Sequence, residues 1–332
     1  MRATLSCAAA ALLAGCGAEG AETPPSEPSY LWLSETGLYS DPALGTVSGG
    51  VRPFEPAFTL WSDGADKARW IALPEGATID TTDMSHWQLP VGTRLWKEFS
   101  LGGVRLETRL IERFGAGPSD YWMGAFVWQG DGSDARLSEE GEQDLLGTPH
   151  DVPGRERCGA CHDGEPGRAL GFGALSLARA PTVGGLDLAQ LALEGRLSTP
   201  PAADASYAIP GATEAAAALG YLHANCGSCH NPRGAAWPDT QMLLRLDLGA
   251  NAVETAAVLA SIVGQPLQYY RAQDGAVALR VSPGQPEQSG IIARMRVRGP
   301  MEQMPPLGTE QVDERGVALV SDWIASLPPA AP

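Results

Sequence analysis

The stretch Thr213-Glu-Ala-Ala-Ala-Ala-Leu-Gly-Tyr-Leu-His-Ala-Asn-Cys226-Gly-Ser-Cys229-His230 decides how this chain is read. Its first half is rich in alanine, the strongest helix former, so a helix over 213–226 is expected. That helix runs into Cys-x-x-Cys-His, and the same pattern stands upstream as Cys158-Gly-Ala-Cys161-His162. The spacing is that of covalent c-type haem attachment. Cys158 with Cys161, and Cys226 with Cys229, can each bond the two vinyl groups of one haem. His162 and His230 can then reach the iron from the proximal side. A Cys-x-x-Cys pair is also half of a zinc site, or a redox disulfide. A zinc site asks for its second pair roughly 12–20 residues away, but Cys161 and Cys226 are 65 positions apart. A histidine directly after each second cysteine has no role in a redox disulfide. Two covalently attached haem c groups are the expected cofactors.

The remaining cysteines fit export. Arg2, an apolar run from Ala8 to Leu13 and the ending Leu13-Ala14-Gly15-Cys16 describe a secretory signal, too short to span a bilayer. Leu-Ala-Gly-Cys resembles a bacterial lipobox, which implies a signal peptide over 1–15 and lipidation of Cys16. Cys7 would leave with the signal, so one of six cysteines is discarded, one carries lipid and four hold haem. Gly17 in place of aspartate points to the outer membrane. The expected location is exported and lipid-anchored, on a periplasmic or extracellular face. Residues 16–29 form a linker stiffened by Pro24, Pro25 and Pro28. The net charge of −16 argues against nucleic acid and against electrostatic docking on anionic lipid, and is compatible with a basic redox partner.

Seven of the nine tryptophans fall between Trp32 and Trp128, where strands alternate with glycine turns. Arg94–Phe99, Val104–Phe114 and Tyr121–Trp128 read as strands, and Val104-Arg-Leu-Glu-Thr-Arg-Leu-Ile111 has the period of two of a half-buried strand. Gly102-Gly103 and Gly115-Ala-Gly-Pro118 mark the turns. A tryptophan-rich antiparallel β domain, a small sandwich or barrel with the tryptophans in its core, is expected over 30–150. The first motif occupies a segment over 151–212. Beyond 213 further helices are expected over Asn251–Val263 and Val312–Leu327, the latter with Leu319, Val320, Trp323 and Ile324 on one face. The fold class read from this pattern is α+β and multidomain: an N-terminal antiparallel β domain, then a mainly α-helical cytochrome c region.

Met304, in Gln303-Met304-Pro305-Pro306, is the expected distal ligand of the second haem. A thioether ligand favours ferrous iron and raises the potential, and the prolines restrict its loop. Met301 and Met295 are its rivals. The arrangement over 213–328 resembles a class I cytochrome c domain, with the haem motif at the end of one helix and the methionine in a proline-containing loop before the last. The first haem has no methionine between His162 and the second motif. Its distal candidates are His150 and His223, with His86 and Met123 behind them, although each histidine taken alone reads as a hydrogen-bonding or surface residue. Bis-histidine ligation would lower the potential, and an open position would admit peroxide or a gas.

Leu33-Ser-Glu-Thr-Gly-Leu-Tyr39, Leu60-Trp-Ser-Asp-Gly-Ala-Asp-Lys67, Pro90-Val-Gly-Thr93, Glu107-Thr-Arg-Leu110, Leu170-Gly-Phe172 and Tyr221–Pro232 add to the two motifs. Together they resemble an uncharacterised family of bacterial di-haem c-type cytochromes. The resemblance implies a secreted or periplasmic lipoprotein passing electrons between redox partner proteins, such as a dehydrogenase and another cytochrome. A di-haem peroxidase with an open first haem, or a ligand-binding sensor, is the alternative.

Overall fold

The computed structural model describes residues 26–178, 185–249, 251–268, 277–299 and 301–329. The expected signal sequence and Cys16 lie outside them. A 3-10 turn (Leu33–Thr36) leads into the hairpin of β1 (Tyr39–Asp41) and β2 (Thr46–Val47). Six strands follow in one antiparallel sheet whose order is the chain order: β3 (Arg52–Pro53), β4 (Asp66–Ala72), β5 (Arg94–Leu101), β6 (Val104–Arg113), β7 (Tyr121–Trp128) and β8 (Ala135–Ser138). Leu101 pairs with Val104, so Gly102 and Gly103 alone turn the β5–β6 hairpin. Both take positive φ (57° and 82°), as a two-residue turn matched to strand twist requires.

The two faces of the sheet differ in kind. One carries Trp96, Leu110, Trp122, Phe126 and Trp128, buried under Leu33, Leu38 and Tyr39. The indole N–H groups of Trp96 and Trp128 donate to Thr36 Oγ1 and Thr108 Oγ1, both at 3.0 Å, so burial leaves neither unpaired. The other face carries an apolar row, Ile71–Leu95–Ile111–Met123. Beside it runs a cationic row, Arg69–Lys97–Arg109, ending at Ala125.

After the sheet come α1 (Cys158–His162), α2 (Ala174–Leu177), α3 (Leu188–Leu193), α4 (Thr213–Cys226) and α5 (Trp237–Thr240). The ladder of β9 (Asp247–Leu248) and β10 (Val253–Glu254) precedes α6 (Ala256–Ile262), α7 (Gly290–Arg296) and α8 (Glu314–Ser326). Phe54, Ile71, Trp87 and Leu95 share one core with Phe172, Leu177, Leu188 and Leu191, so the sheet and the first-motif segment are packed as a unit. Ala218, Leu219 and Leu222 of α4 pack on Val317, Val320, Trp323 and Ile324 of α8 in another. Gly316 permits that crossing, because a Cβ there would lie under 3.0 Å from the Tyr221 ring. Among the described residues no helix is long and apolar enough to cross a membrane.

The expected fold class is corrected. Helix and strand contribute almost equally (25% and 22%), and the chain beyond the sheet is not a mainly α-helical cytochrome c region. Among the described residues only α4 and α8 exceed two turns there, and short helices, loops and the β9–β10 ladder carry the rest. The helix expected over Asn251–Val263 is shortened to Ala256–Ile262, because Val253 pairs with Leu248 and the Asn251 carbonyl accepts from Ser206 N–H. β-branched Val253 suits a ladder better than a helix. The last helix starts at Glu314, where Asp313 caps it by accepting from Gly316 N–H at 2.9 Å. The sandwich or barrel is likewise replaced by a single open sheet. Its second face is covered by the chain that carries the first motif, not by more strands.

Arg245 binds the segments together. Its guanidinium is 8% exposed, is bonded to the Glu165 carboxylate and the Ser85 carbonyl, and lies 3.3 Å from Asp247. Arg245→Ala would leave the largely buried Glu165 charge without its partner, and is expected to destabilise the fold by about 3 kcal/mol. Urea denaturation of the matured protein measures this, and an unchanged midpoint would refute it.

Candidate functional site

Each motif sits at the floor of its own cleft. The first is formed by the 3-10 turn Arg155–Arg157 running into α1, and the cleft it borders, about 1370 Å³ out to its open mouth, is walled opposite by the sheet. Cys158, Cys161 and His162 line it, with Leu95, Ile111, Met123 and Trp61 around them. The second follows from the alanine-rich α4, which stops at Cys226, after which His230 N–H donates back to the Cys226 carbonyl at 2.9 Å. Its cleft, about 840 Å³, is lined by Cys226, Cys229, His230, Leu244, Ile291 and Met304 and is almost wholly apolar.

Both motif histidines are held in the tautomer a metal needs. His162 Nδ1 donates to the Arg168 carbonyl at 2.6 Å, which leaves Nε2 with its lone pair. His230 Nδ1 faces Thr240 Oγ1 at 3.5 Å, and that hydroxyl is free to accept because its own proton goes to the Ala236 carbonyl at 2.7 Å. Burial pushes both imidazoles down to about 4, so both are neutral at pH 7, as ligation requires.

The other candidates are dispersed. Met304 shares the second cleft with His230, as do Met295 and Met242, whereas Met301 is 93% exposed and outside it. His150 is buried but does not line the first cleft, and its Nε2 is 2.8 Å from Glu107 Oε1. His223 lies in a neighbouring polar hollow with Arg245 and Ser176. Its Nδ1 accepts from Leu246 N–H at 3.1 Å, which places the ring proton on Nε2. Burial holds this imidazole down to about 3. His86 pairs with Asp83 at 2.9 Å. Met123, from β7, does line the first cleft.

The clefts fit the group that the motifs imply. A haem is an apolar disc with two vinyl groups on one edge and two carboxylates elsewhere on its rim. Each cleft offers a cysteine pair, a neutral histidine and apolar walls. Arg280 and Arg294 line the second, and Arg69, Lys97, Arg109 and Arg157 the first. Among the described residues neither lining includes an aspartate or glutamate, in a chain with 39 acidic residues against 23 basic. The cations and Asn225 escape a sequence reading, because strand alternation marks Lys97 and Arg109 as a polar face without saying what that face meets.

The two clefts adjoin. Asn225, Cys229 and Pro305 line both. Cys229 Sγ lies 3.6 Å from the Ala160 carbonyl inside the first motif. The Cys161 and Cys229 thiols act on each other, which pushes the first up and the second down from the ordinary thiol range. Asn225 fixes the shared wall, accepting from Trp61 N–H at 2.7 Å and donating to the Tyr221 carbonyl at 3.0 Å. No protein family, curated protein or solved structure matches the chain.

Proposed function

We propose that this chain is an exported, lipid-anchored di-haem c-type cytochrome that relays electrons between redox partner proteins. The observation that carries the reading is the shared wall: two Cys-x-x-Cys-His motifs, far apart in sequence, meet at the junction of two apolar clefts, where Cys229 Sγ lies 3.6 Å from the Ala160 carbonyl. When bound, haem supplies the one-electron chemistry. The chain's part is to hold each iron through His162 or His230 and to bury the rings among apolar side chains. Met304, which lines the same cleft as His230, would be the second ligand to that iron. Cys158 and Cys161 would hold one group and Cys226 and Cys229 the other, on either side of the wall that Asn225, Cys229 and Pro305 share. This division needs no acid–base residue.

Counting haem against protein as the pyridine derivative tests the reading. Two haems per chain are expected, falling to one in the Cys226→Ala/Cys229→Ala double variant. A wild-type protein with one haem, or none, would sink it.

A further inference from the structure

The stretch Leu60-Trp-Ser-Asp-Gly-Ala-Asp-Lys67 has no part in either motif. It begins in the connection between β3 and β4, and that connection leaves the sheet to reach the helices. Phe58 packs on the core of α4 and α8, where Gly220 makes room for its ring. Asn225, from α4, donates to the Thr59 carbonyl at 3.3 Å and accepts from Trp61 N–H at 2.7 Å. The chain then returns to the sheet through a tight turn. Ala65 N–H donates to the Ser62 carbonyl at 2.9 Å, with Asp63 and Gly64 at φ of 49° and 77°. An Asp-Gly pair suits this turn, because aspartate tolerates the left-handed region better than most side chains and glycine enters it freely.

The turn sets Asp63, 4% exposed, against the loop that carries Met304. Asp63 Oδ1 accepts from Glu310 N–H at 2.9 Å and from Gln311 N–H at 2.7 Å. Beside it the Trp61 indole N–H donates to the Gln311 carbonyl at 3.2 Å. The Met304 loop is already closed on itself, since Gln303 Nε2 donates to the Pro305 and Thr309 carbonyls and Thr309 Oγ1 to the Pro305 carbonyl. One leg of this closed loop is fixed where Met304 N–H meets the Arg294 carbonyl. The other leg, at Glu310 and Gln311, is fixed by Asp63 and Trp61. Hydrogen bonds to an ionised acceptor are roughly twice as strong as neutral ones, so the carboxylate is the firmer of these two holds.

We propose that Asp63 is a positioning residue for Met304, and that the sheet, through the strap from Phe58 to Asp63, keeps the thioether in the second cleft. This rests on the di-haem reading with Met304 as a ligand. It gives the β-sheet a part in the second site as well as in walling the first.

Imidazole displaces a thioether from ferric haem, so its affinity reads how firmly Met304 is held. The haem to follow is the one whose spectrum Met304→Ala changes, in mature protein carrying two haems. Asp63→Gly removes the acceptor without straining the turn, and is expected to bind imidazole at that haem at least ten-fold tighter than the parent. Asp63→Asn keeps an oxygen for both N–H groups and should stay within two-fold. If Asp63→Gly does not assemble with two haems, Trp61→Phe, which deletes the indole donor, carries the test, with at least three-fold tightening expected. Parent-like affinity in the variant read would overturn the proposal and leave the di-haem reading standing. Equal tightening in Asp63→Gly and Asp63→Asn would also overturn it, because charge and not the hold on the loop would then be at work. A spectrum unmoved by Met304→Ala would overturn it by taking Met304 off the iron. A parent with fewer than two haems would overturn the di-haem reading and this proposal with it.

Discussion

Met304→Ala is expected to lower the midpoint potential of one haem by on the order of 0.1–0.2 V, a fraction of the ~0.8 V over which axial ligands move haem potentials. The same haem should gain carbon monoxide binding, while two haems per chain are retained. Three methionines line the second cleft, and their settings separate them. Met295 is 5% exposed on α7 and is packed into the core shared by α4 and α8. Met242 packs at the edge of that core. Met304 alone belongs to a loop built around it: its N–H donates to the Arg294 carbonyl at 2.9 Å, and Pro305 and Pro306 follow. Gln303 ties the loop further, donating to the Pro305 and Thr309 carbonyls at 3.1 and 2.8 Å. Met295→Ala supplies the contrast. It should cost stability, about 2–5 kcal/mol as for other buried methionines, and leave the potential nearly unchanged. Redox titration monitored in the Soret region reads both variants. An unmoved potential in Met304→Ala would remove Met304 from the iron.

How much of this was legible in the sequence depends on the range of the forces involved. The α4 helix is local: alanines set its propensity, and it was expected over the residues it occupies, 213–226. The β5–β6 hairpin is local too, since two glycines at a turn leave the backbone few alternatives. The motif cysteines and histidines needed only their spacing. What the sequence withheld was set by contacts between distant segments. Leu106, Thr108 and Leu110 alternate with Glu107, Arg109 and Ile111, which says that β6 has two faces. It does not say that the charged face meets the first motif and not water. The Asn251–Val263 segment has a helical composition, but the pairing of Val253 with Leu248 claims its first third. The mutual approach of the motifs could not be read either, because nothing in the 67 residues between Cys161 and Cys229 encodes that Cys229 meets the first motif. Its one local trace is Gly164, a small residue two positions after His162.

Gly164→Ala is therefore expected to damage the protein far more than its chemistry suggests. A Cβ at this position would lie under 3.0 Å from the Ser228 carbonyl oxygen and 3.1 Å from both Asn231 Nδ2 and the Gly234 Cα. Ser228 is inside the second motif, so the clash falls between the two haem-attachment loops. Neither side can yield by rotating a side chain. The Ser228 carbonyl already accepts from Asn231 Nδ2 at 2.9 Å, and that amide, 3% exposed, also donates to the Gly227 carbonyl at 2.7 Å. Relief requires the loops to separate. The cost should reach the upper end of overpacking effects, about 3 kcal/mol. The second consequence is electronic: separated loops would part Cys161 from Cys229, so any bisignate Soret circular-dichroism signal from two neighbouring haems should shrink or vanish. Gly173→Ala is the control, since nothing lies within 4 Å of a Cβ there and its φ of −172° suits any residue. It should stay within about 0.5 kcal/mol of the parent and keep the Soret signal. Should Gly164→Ala match that control in both stability and spectrum, the two motifs do not pack against each other through this glycine, and the shared wall would lose its physical basis.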